Sequence, residues 1–239
     1  LTLNDDVRVV LIKLADRLHN CRTIEYMPEH KRDKILSETM FVFIPLAHRL
    51  GLYGIKSEME DIWLRYKEPE AFNEITAKIN RNVIDKEKEI NDFIAPIDQA
   101  LQKAGFKYEI KKRVKTPYSI WNKMNKRGID FEEIYDLYAV RIIFDPGENT
   151  TETERDQCYH IFSIITGMYR YKSDRVRDWV NYPKNNGYEA LHCTLMSRTG
   201  IWIEVQIRSI RMNEVAEKGI AAHWAYKKDG FASNESQMD

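Results

Sequence analysis

The chain has 239 residues and a mass of 28.3 kDa, with 43% hydrophobic and 31% charged residues. Five Trp, 13 Tyr and nine Phe residues exclude global disorder, and this apolar content can bury a core in one or two domains. The longest apolar run, residues 40–47, falls short of the ~18 residues of a membrane helix. Three cysteines and the lack of a recognisable signal peptide favour a reducing, cytoplasmic setting, with neither a membrane nor DNA expected as a partner.

Net charge is zero, with 37 basic and 37 acidic residues, but the charges are unevenly distributed. Residues 107–127 hold eight Lys or Arg and a single acid, Glu109. A segment this basic in a neutral protein indicates contact with a polyanion. A basic, solvated surface would have the same composition, so both interpretations stay open at this point.

Residues 5–105 have a helical pattern, since apolar side chains recur at helical spacing from Val7 to Leu18. The pattern continues over residues 35–48, 58–65 and 71–101, and Gly105 is expected to end the last helix.

After Gly105 the periodicity changes to that of strands alternating with helices. Strands are predicted over 108–115, 137–144, 190–197 and 201–207, with a further short strand over 175–182. Helices are predicted over 117–126, 151–169 and 209–227. This alternation predicts an α/β or α+β domain of ~120 residues, and the polar tail 229–239 is expected to be disordered.

The clearest alternation lies in residues 201–208. On a strand, the apolar face carries Ile201, Ile203, Val205 and Ile207. The opposite face carries Trp202, Glu204, Gln206 and Arg208. A carboxylate, an amide and a guanidinium in register would form a functional polar surface, although an ordinary solvent-exposed strand face has the same pattern.

An acidic segment ending at Asp136 leads into the strand over 137–144, which contains Arg141. Carboxylates near strand ends suit Mg²⁺-dependent phosphoryl chemistry, because Mg²⁺ takes one or two carboxylates plus substrate oxygens. A charged Arg141 inside an apolar strand needs a partner or a ligand. Positions 136 and 141 have opposite parity, so they share a face only if Asp136 lies outside the regular strand.

The basic segment combines a strand and a helix start. Three basic residues alternate along the strand: Lys111, Arg113 and Lys115. Thr116 can cap the following helix, and Pro117 suits its first position. Ser119 falls in the first turn, where free N–H groups favour phosphate, and Lys123 lies one turn further on. The segment therefore predicts a triphosphate site that lacks the glycines of a P-loop.

Residues 183–188 form a predicted turn around Asn186-Gly187. Tyr188 could present its ring for base stacking, with Asn186 and His192 offering hydrogen bonds. Ordinary packing of the Tyr188 ring is the competing interpretation.

These motifs together resemble the synthetase domain of the RelA/SpoT family of long (p)ppGpp synthetase/hydrolases. The matching segments are residues 113–124, 135–141, 186–188, 204–208 and 216–224. They occur in the family's order and cover most of residues 106–228. The resemblance implies an α+β, nucleotidyltransferase-like fold, with a mixed sheet of about five strands flanked by helices and preceded by an all-helical segment.

The resemblance also implies a GTP/GDP pyrophosphokinase of the stringent response, which transfers the β,γ-pyrophosphate of ATP to the 3′-hydroxyl of GDP or GTP. By motif matching, Arg113 and Arg141 would sandwich adenine, while the donor phosphates would meet Lys115, Ser119 and Lys123. Asp136 and Glu204 would be catalytic and bind Mg²⁺. The acceptor site would comprise Tyr188, Asn186, His192, Gln206, Lys184 and Arg177.

Residues 12–23 resemble the closing helix of the family's HD-type hydrolase domain. Asp16 would match a metal ligand and Asn20 a neighbouring residue of that site. The chain contains no His-Asp pair, and one carboxylate is not expected to hold a catalytic metal, so no hydrolysis is expected from this fragment. Mn²⁺ is expected only in an intact hydrolase domain.

The resemblance divides the chain into incomplete hydrolase helices (1–65), a helical linker (66–105), the synthetase domain (106–228) and the tail. The basic motif at Arg175 and Arg177 resembles the bifunctional branch of the family, so the longer protein from which this fragment derives is expected to retain hydrolase activity. Contact with the ribosome is expected through regions outside this chain.

A non-catalytic nucleotide- or RNA-binding regulatory module is the alternative function, since the basic strand carries interleaved aromatic residues. It does not account for Asp136 and Glu204 beside that basic surface.

Overall fold

The computed structural model describes residues 7–134, 136–147 and 151–219. Its helices are α1 (Val7–Arg22), α2 (Glu29–Glu38), α3 (Ile44–Arg49), α4 (Tyr53–Lys67), α5 (Pro69–Lys103), α6 (Pro117–Arg127), α7 (Glu154–Met168) and α8 (Ile210–Lys218). Its strands are β1 (Lys107–Val114), β2 (Tyr138–Asp145), β3 (Arg177–Asp178), β4 (Leu191–Met196) and β5 (Trp202–Ser209). The predicted tail 229–239 and the predicted end of the last helix lie outside the described residues.

Helices α1 to α4 form a small helical core of their own. Leu14 and Leu18 of α1 pack with Leu36, Ala47 and Met59 from the other three helices, and all five are buried. In α1 the buried positions, Leu14, Leu18 and Cys21, are three or four residues apart, which places them on one face of the helix. A π-helical turn over Thr39–Phe43 joins α2 to α3.

Helix α5 is 35 residues long and packs against the sheet. Its buried face carries Ile75, Ile79, Ile90, Phe93, Ile97 and Leu101. The helix ends where Gly105 adopts a φ of +80°, a left-handed conformation that favours glycine. The segment expected to act as a linker therefore also forms part of the hydrophobic core beneath the strands.

The sheet has five strands in the order β1-β2-β5-β4-β3. Strands β2 and β5 run parallel, whereas the other neighbouring pairs are antiparallel, so the sheet is mixed. One face packs against α5 and α7 through residues such as Ile142, Val205 and Ile161, and the other face carries polar side chains. This architecture confirms the predicted α+β fold with a helical segment before the sheet.

The strand predicted over 175–182 is much shorter in the structure. Only Arg177 and Asp178 pair with β4, and a 3₁₀ turn over Ser173–Arg175 precedes them. The carboxylate of Asp178 accepts the backbone N–H groups of Val180 and Asn181, which turns the chain away from the sheet. The prediction missed this side-chain-directed turn.

The helical part and the sheet part meet through backbone as well as side chains. Gly51, in the loop between α3 and α4, packs against Gly219 at the end of α8 and against the carbonyl of Asn186. The Tyr53 ring lies edge-on to the Tyr188 ring, with centroids 5.9 Å apart. The start of α4 is thus held close to the 183–188 turn.

In the part of the chain that the structure describes, no helix combines the length and the apolar character required to cross a membrane.

We predict that Gly219→Ala destabilises the protein by more than about 2 kcal/mol. Gly219 has a φ of +54°, and a Cβ there would lie 2.2 Å from the carbonyl oxygen of Leu50, so steric overlap adds to backbone strain. Gly128→Ala is the matched control, because Gly128 has a φ of +61° but open space around its Cα. Urea unfolding compares the two, and equal losses would contradict the close packing at Gly219.

Candidate active site

The polar face of the sheet carries two parallel rows of side chains. In the first row, Arg113 of β1 lies opposite Ala139, which lies opposite Glu204 of β5 and then Thr194 of β4. The second row lies two residues away from the first along each strand. It contains Lys111, Arg141, Gln206, His192 and Arg177. Residues spread over almost 100 positions of the sequence therefore lie side by side.

Asp136 lies in the turn just before β2, outside the regular strand. Lys115 donates to its Oδ2 at 2.9 Å, and Lys123 donates to its Oδ1. Burial by itself would raise the pKa of Asp136, but the two ammonium groups outweigh burial and lower the pKa to about 2. Asp136 is therefore ionised at neutral pH.

Asp136 and Glu204, the two carboxylates expected to bind Mg²⁺, both line a cavity of about 390 Å³. Its other lining residues are Lys123, Arg127, Asp174, Arg175, Arg177, Trp179, His192 and Thr194. Four of these ten residues are Lys or Arg and three are Asp or Glu, so the cavity brings cationic groups and carboxylates together.

A second cavity, of about 340 Å³, shares three residues with the first: Lys123, Arg127 and Asp136. Lys115, Ser119, Asn122 and Lys126 complete its lining. Three residues expected to bind donor phosphates thus line one space: Lys115, Ser119 and Lys123. The shared residues connect it to the space in front of Glu204.

The basic segment divides into an exposed part and a part that faces Asp136. Lys111 and Lys112 are exposed and pair with carboxylates, Glu109 and Glu87, as a solvated surface would. Lys115 and Lys123 are largely buried and point to Asp136.

Thr116 caps α6 and Pro117 is its first residue, as predicted. The first-turn N–H groups are not free, however. The N–H of Tyr118 donates to Asp61 of α4 at 2.9 Å, and the N–H of Ser119 donates to the Thr116 hydroxyl. The expectation of unoccupied donors was wrong, because a carboxylate 57 residues away reaches this helix end.

Arg141 is largely buried on the polar face. Its Nη1 donates to Glu217 at 2.9 Å and its Nε to Gln206 at 3.4 Å. Burial lowers the pKa of Arg141, and the nearby charge of Arg113 lowers it further. Arg113 and Arg141 thus lie on the paired strands β1 and β2, where each charge affects the other.

Gln206 links the charged groups of β2 and β5. Its amide nitrogen donates to Glu204 at 2.6 Å, and its oxygen accepts from Arg208 at 2.8 Å and from Arg141. Gln206 is 4% exposed and Arg208 is 2% exposed. The polar face of β5 is therefore not an ordinary solvent-exposed face.

His192 lies between Tyr188 and Glu204. Burial, followed by the charges of Arg208 and Lys184, lowers the pKa of His192 to about 3, so the ring is neutral. Its Nδ1 lies 3.5 Å from a carboxylate oxygen of Glu204, and its Nε2 is hydrogen-bonded to the Tyr188 hydroxyl at 2.8 Å. Tyr188, His192 and Glu204 thus form a continuous row of polar side chains.

The turn over residues 183–188 is tied to the helical part. The Asn186 amide donates to the hydroxyl of Tyr53 and, at 3.4 Å, to the carbonyl of His48. Lys184 lies over the Trp179 ring at 4.0 Å and over the Tyr188 ring at 5.0 Å. Tyr188 is only 9% exposed, so its ring is packed as well as close to the predicted acceptor site.

Two residues near the site, Arg127 and Tyr53, were missed in the sequence. Arg208 was predicted on the polar face beside Gln206, and it lies over the Tyr188 ring at 5.5 Å with its Nε unpartnered and its pKa lowered by burial to about 10. Arg127 belonged to the basic segment, which was the available signal. Tyr53 gave no signal, because its contact with Asn186 spans 133 residues.

The two residues expected to match a hydrolase site, Asp16 and Asn20, lie on α1. Asn20 donates to Asp16 at 3.3 Å, one turn apart. Across the described ranges, no three His, Cys, Asp or Glu side chains are grouped closely enough to hold a metal by themselves.

Comparison with known proteins matches two parts of the chain to family models. A family model described as a region found in RelA / SpoT proteins matches residues 112–230, and an HD domain model matches residues 1–53. A GTP pyrophosphokinase from Myxococcus xanthus is 40% identical over 228 residues, or 95% of this chain. The chain belongs to the RelA/SpoT family.

A second RelA/SpoT relative, the bifunctional (p)ppGpp synthase/hydrolase SpoT of Escherichia coli strain K12, is 37% identical over 98% of this chain. The chain spans 29% of the length of the Myxococcus protein and 32% of SpoT. Among solved structures, the small alarmone synthetase 1 from Bacillus subtilis is 17% identical with a TM-score of 0.45, covering 66% of this chain and 81% of that one. Residues 220–224 of the last RelA/SpoT motif, and Tyr135, lie outside the described residues.

We predict that Asp136→Asn destabilises this RelA/SpoT chain by about 1–3 kcal/mol at pH 7, since it leaves Lys115 and Lys123 without their carboxylate. The folded-state pKa is about 2, below the value of ~3.9 for an unfolded Asp, so this stabilisation is present above pH 4 and is lost as pH falls towards 2. Urea unfolding from pH 3 to 7 measures it. Glu132→Gln, at an exposed ion pair, is the control, and a pH-independent loss for Asp136→Asn would contradict the assignment.

Proposed function

We propose that this chain catalyses pyrophosphoryl transfer, in which ATP donates its β,γ-pyrophosphate to the 3′-hydroxyl of GDP or GTP and AMP is released. The main support is the cavity in which Asp136 and Glu204 face a set of Lys and Arg side chains. Cations suit the polyphosphates of two nucleotides, while the carboxylates suit a metal and a reacting hydroxyl. An RNA-binding module would have no need for these carboxylates.

Mg²⁺ is the proposed metal, and the residues present fit it. Mg²⁺ is commonly held by one or two carboxylates plus substrate phosphates, which agrees with a site that lacks a complete protein ligand set among the described residues. Asp136 and Glu204 would hold the ion, which would neutralise charge on the phosphates when bound. Asp136 is already ionised, so it needs no deprotonation.

The donor would bind across β1, β2 and α6. Arg113 and Arg141 lie on neighbouring strands and would sandwich the adenine ring between their planar guanidinium groups. Lys115, Ser119 and Lys123 line the adjoining cavity, where they would hold the phosphates. Because Asp61 and Thr116 occupy the first-turn amides, these side chains rather than the backbone would carry the phosphate contacts.

The acceptor would bind near β3, β4 and the 183–188 turn. Arg177 and His192 line the cavity, and Gln206 and Lys184 lie beside it. Tyr188 would stack on guanine with Asn186 at its side, which requires the side chains that contact the Tyr188 ring, such as Lys184 and Arg208, to move.

Glu204 would accept the proton of the 3′-hydroxyl as the oxygen attacks. The neutral His192 and the Gln206 amide both approach its carboxylate and would hold it in one orientation. The arrangement leaves the nearby cations to stabilise negative charge on the transferring group.

The cytoplasm is the proposed location, where nucleotides and reduced thiols are both present, since all three cysteines are free. Hydrolase activity of a longer protein, and contact with the ribosome through regions outside this chain, stay predictions.

Incubation with ATP, GDP and Mg²⁺ tests the function directly. We expect AMP and a 3′-pyrophosphorylated guanosine nucleotide in equal amounts. Binding of nucleotide or RNA without AMP formation would instead support the non-catalytic module.

We predict that Glu204→Gln lowers kcat at least 100-fold while leaving the fold intact, because general-base assistance contributes about 10²–10⁴-fold. Glu154→Gln is the matched control, since Glu154 has similar side-chain exposure, 25% against 28%, but pairs with Arg211 instead. Product formation at saturating Mg²⁺ and circular dichroism provide the measurements. Wild-type turnover by Glu204→Gln would refute the role of Glu204.

We predict that Arg141→Lys raises the KM for ATP about tenfold and changes the KM for GDP less than twofold, because Lys cannot stack as a planar guanidinium does. Lys111→Gln removes a neighbouring charge without removing a stacking group, and we expect it to be near wild type. Steady-state kinetics with each nucleotide varied would decide. A selective rise in the KM for GDP would place Arg141 in the acceptor site.

A further inference from the structure

Asp61 connects the helical part of the protein to the helix that carries the donor-site side chains. It lies half-buried on α4, and its Oδ1 accepts the backbone N–H of Tyr118 at 2.9 Å. Tyr118 is the second residue of α6, where backbone donors have no partner within the helix. The carboxylate therefore caps a helix of another part of the molecule.

This link is tighter than the cap that α6 provides for itself. The Thr116 hydroxyl accepts the N–H of Ser119 at 3.4 Å, which is longer than a typical hydrogen bond, and Pro117 has no N–H to offer. Asp61 is thus the best-placed acceptor for the first turn of α6.

The first turn of α6 sets the position of the groups that follow it. Ser119 is the next residue, and Lys123 lies one turn further along, where its ammonium group holds Asp136. A cluster of aromatic rings also joins α4 to α6. The ring centroid of Trp63 in α4 lies 6.1 Å from that of Tyr118 and 5.9 Å from that of Trp121. A shift at Tyr118 would therefore move Ser119 and Lys123 relative to Asp136.

We propose that Asp61 is a positioning residue for the donor site, holding α6 through the Tyr118 N–H so that Ser119 and Lys123 meet the donor phosphates. The role rests on the proposed pyrophosphoryl transfer, but the link itself is a property of the fold. Asp61 touches neither cavity that contains Asp136, so it acts through α6.

We expect the hydrogen bond from the Tyr118 N–H, rather than the negative charge of Asp61, to hold α6 in place. Burial, with a smaller contribution from Glu60, raises the pKa of Asp61 to about 6, against the opposing effects of the Tyr118 N–H and Arg65. The surroundings thus disfavour the charge, whereas an amide oxygen would accept the same N–H. Asp61→Asn should keep the link, and Asp61→Ala should lose it.

The test compares kinetic constants for both substrates in three variants. For Asp61→Ala we expect the KM for ATP to rise about tenfold and the KM for GDP to stay within twofold, and for Asp61→Asn we expect both within about threefold of wild type. Glu58→Gln is the matched control, since Glu58 lies on the same helix and pairs with Arg22 of α1. We expect it to behave as wild type.

Three outcomes would overturn the proposal. A lower KM for ATP in Asp61→Ala would mean that Asp61 occupies a phosphate position. Equal rises for ATP and GDP would indicate a general structural role, and an Asp61→Asn variant as impaired as Asp61→Ala would exclude the hydrogen bond as the cause. Should Asp61→Ala fail to fold, Asp61→Glu replaces it, with an intermediate rise in the KM for ATP expected and an unchanged value contradicting the proposal.

Amide hydrogen exchange at Tyr118 separates this proposal from the proposed function, because it needs no substrate. We expect exchange at least tenfold faster in Asp61→Ala than in wild type, and protection in Asp61→Asn. If wild type forms no product while this exchange pattern holds, the function fails and the link stands. If wild type is active and Asp61→Ala matches it in both kinetics and exchange, the positioning role alone fails.

Discussion

The parallel pairing of β2 with β5 is the constraint on which the site depends. Its register puts Glu204 beside Ala139 and Gln206 beside Arg141, and the antiparallel neighbours β1 and β4 extend both rows. Side chains alternate between faces along each strand, so a slip by one residue would exchange the polar row for the apolar one. The buried face, packed on α5 and α7, makes such a slip costly and thereby fixes the polar face as well.

Within that framework, the charges are arranged by burial as much as by pairing. Asp136 stays ionised because two lysines contact it, whereas His192 stays neutral because it is buried among cations. Gln206 joins Glu204 to Arg208 and Arg141 without adding a charge of its own. A surface with several cations and few anions is electrostatically matched to an anionic ligand, and its groups are already oriented before a ligand arrives.

The sequence allowed accurate prediction wherever the governing interaction is local. The Thr116 cap, the Pro117 start of α6, the helix end at Gly105 and the two faces of β5 all follow from residues within a few positions of one another. Asp136 could share a face with Arg141 only if it lay outside the regular strand, and the structure places it before the start of β2.

The features that escaped prediction depend on distant or side-chain-directed contacts. The Asp61 carboxylate reaches Tyr118 across 57 residues, and Tyr53 reaches Asn186 across 133. No periodicity in either segment encodes such a contact. The short β3 has a different cause: Asp178 bends its own backbone, a choice between turn and strand that composition alone does not decide.

Helix α5 has a practical implication for dissecting the chain. Six of its apolar side chains, from Ile75 to Leu101, lie beneath the strands in the same core as Val140 and Ile207. A polypeptide that began at residue 106 would keep every strand but lose α5, a helix roughly 50 Å long. The core that α5 covers would then be exposed to water. A piece that keeps the buried face of the sheet covered therefore begins before Ile75, well ahead of the first strand.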